Sequence, residues 1–138
     1  MIRLAFALWA QSVLPMSPMS ERPMVVVDER ETRVDEPPPH GAIGISTAYR
    51  ISDQVPERRM EFRRRILHRG AAIGLHSIAH DEVYYVLSGE GVVQSGRERR
   101  ALRAGMTAYL YDGATVGIRQ VGRRPLSLII AYPVPARP

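Results

Sequence analysis

From residue 43 to residue 132 the chain is a succession of short segments in which apolar and polar side chains alternate. The breaks between them are short and carry Gly, Asp or Pro. Period-two alternation puts one set of side chains on each face of a strand. Segments 43–51, 60–67, 71–78, 82–88, 92–94, 99–102, 107–111, 115–121 and 125–132 all read this way, and 24–27 is a further β-branched candidate. Outside the first residues, no stretch of ten or more has helical period. About ten short strands with regular turn signals predict an all-β sandwich or jelly-roll barrel. Ser95-Gly96 marks a hairpin turn, and Ser88-Gly89-Glu90-Gly91 reads as a glycine turn closing its strand.

The chemistry concentrates in residues 70–91, GAAIGLHSIAHDEVYYVLSGEG. In an unbroken strand pattern His76, Ile78, His80, Glu82, Tyr84 and Val86 share one face. Imidazole and carboxylate on one face can hold a divalent cation. His80 stands two residues before Glu82, so His76, His80 and Glu82 form a two-His, one-carboxylate set suited to Fe(II), Mn, Ni or Zn. The peptide turns near 78–81, which also leaves His80 free to face solvent. Without an ion, His76 and Glu82 could satisfy each other by hydrogen bonding, because a lone buried carboxylate is costly. His40, after three prolines, and His68, beside Arg69, read as solvated.

This stretch resembles the first signature of the cupin family, G-x5-H-x-H-x3-E-x6-G. Gly70, His76, Glu82 and Gly89 match, and Ile78 stands at the second histidine. A degraded second signature, G-x5-P-x-G-x2-H-x3-N, lies downstream. There Gly105 and Gly113 are in place, while Tyr111, Val116 and Gln120 replace the proline, histidine and asparagine. The resemblance covers roughly residues 60–132. It implies a jelly-roll, double-stranded β-helix barrel and a small-molecule site in its lumen. It also implies a homodimer in which an N-terminal arm packs on the neighbour. On this plan Tyr84, Met106, Tyr109, Tyr111, Val116, Ile118 and Gln120 line a mostly apolar pocket. Glu82, Tyr84 and Tyr111 are the candidates for proton transfer. The loss of two ligand positions leaves two readings. One is a cupin that binds a small organic ligand, with or without a divalent metal. The other is a metal-dependent isomerase, dioxygenase or decarboxylase acting on a sugar or small organic acid.

At 138 residues the chain suits one domain that can bury about two-thirds of its unfolded surface. Residues 21–42 form the arm, with its proline-rich link DEPPPHG, and 43–138 the barrel. Residues 1–20 resemble a short signal-peptide core, or else precede a true start at Met16, Met19 or Met24. Cytoplasmic and periplasmic locations both stay open, and the apolar run is too short to span a bilayer. The absence of Cys excludes thiolate ligands, disulfides and cysteine nucleophiles. All 19 basic residues are Arg, so lysine Schiff-base chemistry is excluded too. The net charge of +5 favours acidic partners. The arginine clusters at 58–59, 63–65, 97–100 and 123–124 read either as an anion-capturing surface or as solvated faces broken up by Glu57, Glu61 and Glu98. Neither a helix-turn-helix nor an aromatic-interleaved basic strand is present, so nucleic acid is not the expected partner.

Overall fold

The computed structural model describes residues 12–14 and 21–135. The leader, apart from 12–14, lies outside the described residues. Ten strands form two antiparallel sheets. They are β1 (Arg33–Glu36), β2 (Ser46–Tyr49), β3 (Met60–Leu67), β4 (Ala72–Ser77), β5 (Glu82–Ser88), β6 (Glu90–Ser95), β7 (Glu98–Arg103), β8 (Thr107–Leu110), β9 (Thr115–Val121) and β10 (Leu126–Pro133). The larger sheet runs β1-β2-β3-β10-β5-β8 and the smaller β4-β9-β6-β7. One-turn 3-10 helices occupy Glu29–Thr32 and Ile51–Gln54. Among the described residues no helix is long and apolar enough to cross a membrane.

The strands form where alternation and β-branched residues coincide. Their inner faces meet in one apolar core that includes Leu67, Ile73, Val86, Leu102, Val116, Ile118, Leu126 and Leu128. Removing the side chain of a residue such as Leu128 would leave a cavity costing about 2–5 kcal/mol. This core runs the length of the barrel, from Val86 and Leu126 to Leu110 and Val116. Polar side chains join it inside at the end formed by the first residues of β5 and the last of β10.

Two local features differ from the sequence expectation, at 24–27 and at 43–51. Gly89 closes its strand as expected, at a corner where the chain leaves the larger sheet as β5 and enters the smaller as β6. Its φ is +79°, and a Cβ there would fall 2.1 Å from the Pro125 carbonyl oxygen, so only glycine fits. Residues 24–27 lie outside any strand, because no partner strand is there to take their amides. The 43–51 strand is shorter than expected. Ile43 makes one isolated bridge to Ala72, and β2 starts at Ser46. The arm itself joins the barrel. Its β1 pairs with β2 of the same chain, and the Glu29–Thr32 turn covers the outer side of β2 and β3.

The outer face of the larger sheet is unusually apolar at its centre. Met60 and Phe62 on β3 and Tyr85 and Leu87 on β5 are exposed there, and β10 runs between the two strands.

Candidate functional site

β3 carries two rows of side chains, and the charged row faces inward. Glu61, Arg63 and Arg65 share the face of Leu67, which is fully buried in the core, whereas Met60 and Phe62 point out. The expectation of a solvated basic face at 63–65 is thereby overturned for Arg63 and Arg65. Charges survive inside only when paired. Glu61 is buried and accepts hydrogen bonds from Ser52 Oγ at 2.6 Å and Arg58 Nε at 2.9 Å. Arg65 donates to Ser46 Oγ at 2.8 Å and to Glu36 of β1 at 3.2 Å, and burial lowers its pKa. Glu36 also takes two bonds from Arg50, at 2.6 and 2.8 Å. Arg63 is held more loosely, 3.3–3.5 Å from Glu61 and Asp53. Arg64 points outward, stacked on the Tyr49 ring and bonded to Glu29 of the arm.

β4 supplies His76 by means of a bulge. Ile73 pairs with Ile118 and His76 with Val116, so β4 spends one residue more than β9 over the same interval. The extra residue flips the alternation. Leu75 is pushed out to solvent, while Ile73 and His76 both line the lumen. His76 Nδ1 lies 2.8 Å from the Gly74 carbonyl oxygen. A carbonyl only accepts, so this contact places the proton on Nδ1 and leaves Nε2 as an acceptor.

The arm closes this end. Pro39 and His40 roof the lumen, and the His40 ring stacks on that of His76 at 3.6 Å, 4° from parallel. His40 is an exposed turn residue, as expected, but one face of its ring is covered by His76. It has φ +62° and Ala42 has φ +50°, two non-glycine residues in the left-handed region on either side of Gly41. Such conformations persist only where surroundings hold them. Here the hold is close contact, since a Cβ on Gly74 would lie 1.8 Å from the His40 carbonyl oxygen. Burial first, then the neighbouring His76, keep His40 below the ordinary imidazole value, so it is neutral at pH 7. His68 is not solvated, for its Nε2 lies 2.9 Å from Thr47 Oγ1.

These elements enclose a cavity of about 150 Å³, lined by His40, Arg63, His76, Glu82, Tyr84 and Tyr132 among others. Glu82 is 6% exposed, and its Oε2 has no hydrogen-bond partner among the described residues. Burial raises the Glu82 pKa to about 7, while the adjacent Tyr84 hydroxyl acts weakly in the other direction. Burial and then the Glu82 carboxylate push the Tyr84 phenol well above its usual range. A carboxyl poised to titrate near pH 7, a phenol and an imidazole thus meet in one small chamber.

The structure brings His76, Glu82 and Tyr84 together and separates the rest of the expected set. His80 does not line the cavity. It stacks on Tyr132 at 4.4 Å, with its Nε2 buried and unpartnered. Among the described residues no three His, Asp or Glu side chains converge as a metal site. The His76, His80 and Glu82 set is therefore not assembled among the described residues, because the β4–β5 turn carries His80 onto Tyr132. Met106 packs at the edge of the core, and Val116 and Ile118 lie within it. Tyr109 and Tyr111 are exposed on β8 and just beyond it, with the Tyr109 hydroxyl bonded to Asp81 at 2.6 Å. Tyr111 consequently has no access to the lumen as a proton donor. Gln120 is buried, but its amide holds the β9–β10 turn and the Gly70 amide.

His40, Arg63, Arg65 and Tyr132 are site residues that the sequence reading missed. The β3 alternation did put Glu61, Arg63 and Arg65 on the face of Leu67, and that was the available signal. For His40 there was none, because it reaches the lumen from outside the strand pattern.

No family model matches the chain, and no curated protein matches it. Solved structures do. A "predicted oxalate decarboxylase" from Thermotoga maritima superposes with a TM-score of 0.71 at 24% identity, covering 80% of this chain and 99% of that one. An RmlC-like cupin from Shewanella frigidimarina gives 0.60 at 20% identity over 78% and 87%. A cupin superfamily protein from Desulfitobacterium hafniense gives 0.57 at 12% identity over 65% and 78%. The chain has the fold of a small cupin, an all-β jelly roll.

The raised Glu82 pKa sets a pH dependence. The unfolded carboxyl releases its proton near 4.5 and the folded one holds it until about 7. Folding therefore takes up a proton between those values, and stability from this group falls as pH rises from 4.5 through 7. The full effect is roughly 3 kcal/mol. Denaturant titrations across pH 4–8 should show a Glu82→Gln variant lacking this decline. An identical slope in the variant and the parent would place the Glu82 carboxyl in water.

Proposed function

We propose that this protein binds a small organic acid in the barrel cavity without a metal ion. The observation that carries this reading is the unpartnered Oε2 of Glu82, buried and facing the cavity. A buried polar atom left without a partner costs about 1–3 kcal/mol, which a ligand hydrogen bond would recover. The chamber limits ligand size, since 150 Å³ is the liquid volume of roughly five waters. Pockets for drug-sized ligands are larger, about 300–1,000 Å³. Arg63 lines the cavity and engages Glu61 and Asp53 through Nε and Nη2 at 3.3–3.5 Å, which leaves Nη1 to meet a ligand carboxylate, while Glu82 and His76 Nε2 offer a hydroxyl or a second acid group a partner. The likeness to a protein named as a predicted oxalate decarboxylase agrees with a small acid, although at that identity it speaks for the fold alone.

A second reading is favoured by the Glu82 pKa of about 7. A carboxyl poised there can give or take a proton near neutrality, so Glu82 would act as general acid or base on the same ligand, with Tyr84 orienting it. The metal-dependent enzyme reading would need ligands that the described residues do not gather.

Calorimetric titration with two- to four-carbon hydroxy and dicarboxylic acids, with and without EDTA, distinguishes these readings. We expect saturable binding that EDTA leaves unchanged and that Glu82→Gln or Arg63→Met weakens about tenfold or more. Binding seen only after a divalent metal is added would favour the metal-dependent enzyme. Turnover of a bound acid in EDTA would favour the acid–base reading.

We also propose a homodimer formed through the outer face of the larger sheet, supported by the exposed Met60, Phe62, Tyr85 and Leu87. Apolar patches of this kind commonly mark interfaces. Sedimentation should give twice the 15.5 kDa chain mass, and Phe62→Asp should give the monomer. A monomeric parent protein at micromolar concentration would refute the interface.

A further inference from the structure

The chain's positive charge is distributed unevenly. Residues 89–125 hold seven arginines (97, 99, 100, 103, 119, 123 and 124) against three acids (Glu90, Glu98 and Asp112). In the arm and the larger sheet, Arg22, Arg30, Arg33, Arg50, Arg58, Arg63, Arg64 and Arg65 all pair with carboxylates. Among the described residues of 89–125, the pair Arg100–Glu98 is the single ion pair.

Three of the unpaired arginines converge. Arg103 at the end of β7 and Arg123 and Arg124 in the β9–β10 turn line an open pocket of about 390 Å³ beside the Gly89 corner. The site lies at the end of the barrel away from Glu82. Glu90 is the pocket's one acid, and although it is the cross-strand neighbour of Arg103 it forms no ion pair with it.

The turn is fixed from beneath. Gln120 is buried, and its Nε2 donates to the carbonyl oxygens of Val121, Gly122 and Arg124 at 3.1, 2.9 and 2.8 Å. Its Oε1 accepts from the Gly70 amide at 2.9 Å, which locks the side chain to β4's approach. With those carbonyls bound to Gln120, the amides of Gly122, Arg123 and Arg124 donate to no described group. Gly122 has φ +79°, the left-handed step that lets neighbouring amides form an anion-binding concavity. Backbone donors and guanidinium forks on a rigid turn suit a multiply charged tetrahedral oxyanion.

We infer that this corner pocket binds a phosphate group, either inorganic phosphate or that of a small phosphomonoester, at a site separate from the barrel cavity.

Amide chemical shifts of the full chain, titrated with inorganic phosphate and with glycerol phosphate at constant ionic strength, test this. Saturable shifts at Gly122, Arg123 and Arg124 are expected with at least one of the two. Saturation by both identifies the phosphate group as the ligand. Saturation by glycerol phosphate alone identifies a phosphomonoester. The double variant Arg123→Gln/Arg124→Gln should weaken binding at least tenfold. The double variant Arg97→Gln/Arg99→Gln removes equal charge from the far end of β7, and should change binding less than twofold. Equal weakening by both variants would mean diffuse attraction and overturn the site, as would an absence of saturation by either compound. Both variants alter exposed side chains, so thermal unfolding should confirm that each keeps the parent fold.

Discussion

Arg65 projects from β3 into the interior, 3.2 Å from Glu36 on the arm's own strand. An uncompensated guanidinium in that position would cost several kcal/mol, so the arm is a structural part of the chamber. Through Glu36 the arm balances both Arg65 and Arg50, and through Glu29 it holds Arg64 against the outside of the same strand. Two β1 and 3-10 acids thus fix three arginines on β2–β3 and its flank. With these charges satisfied, a strand that would otherwise turn its polar row to water can turn it inward. The polar half of the lumen exists for this reason.

The same arm continues through its prolines to His40, which lies on the β4 bulge and roofs the cavity. Ion pairing at one end of the arm and ring stacking at the other therefore enclose Glu82. Enclosure is what raises the Glu82 carboxyl to about 7 and leaves its Oε2 waiting for a partner. With Ile78 and Val116 where the cupin signatures have histidines, this barrel holds a chamber of hydrogen-bonding groups.

Much of the architecture was legible in the sequence. The alternation at 60–67, 82–88 and 115–121 gave β3, β5 and β9 with their full bounds, because period two depends only on local composition. That His76 and Glu82 line one lumen matches the expectation that they share an inner face, although they form no hydrogen bond with each other and His80, of the same parity, is not in the lining. What could not be read was tertiary. The bulge at 74–75 depends on the close approach of His40. The inward row of β3 depends on acids almost thirty residues earlier. The fate of His80 depends on a turn that carries it onto Tyr132, whereas Tyr109 and Tyr111 flank buried Leu110 and stand on the outer face by the alternation of β8 itself. The cupin resemblance put Gln120 among the lumen residues. It does face inward, but its amide is wholly engaged by the turn that follows.

A double-mutant cycle on Glu36→Gln and Arg65→Met, measured by equilibrium denaturation, most directly tests whether the arm's charge sustains the polar chamber. If it does, each single change is destabilising and the pair shows a coupling of about 1–3 kcal/mol. Additivity within about 0.3–0.5 kcal/mol would show that the arm and the inward arginine are energetically independent, and would contradict the account.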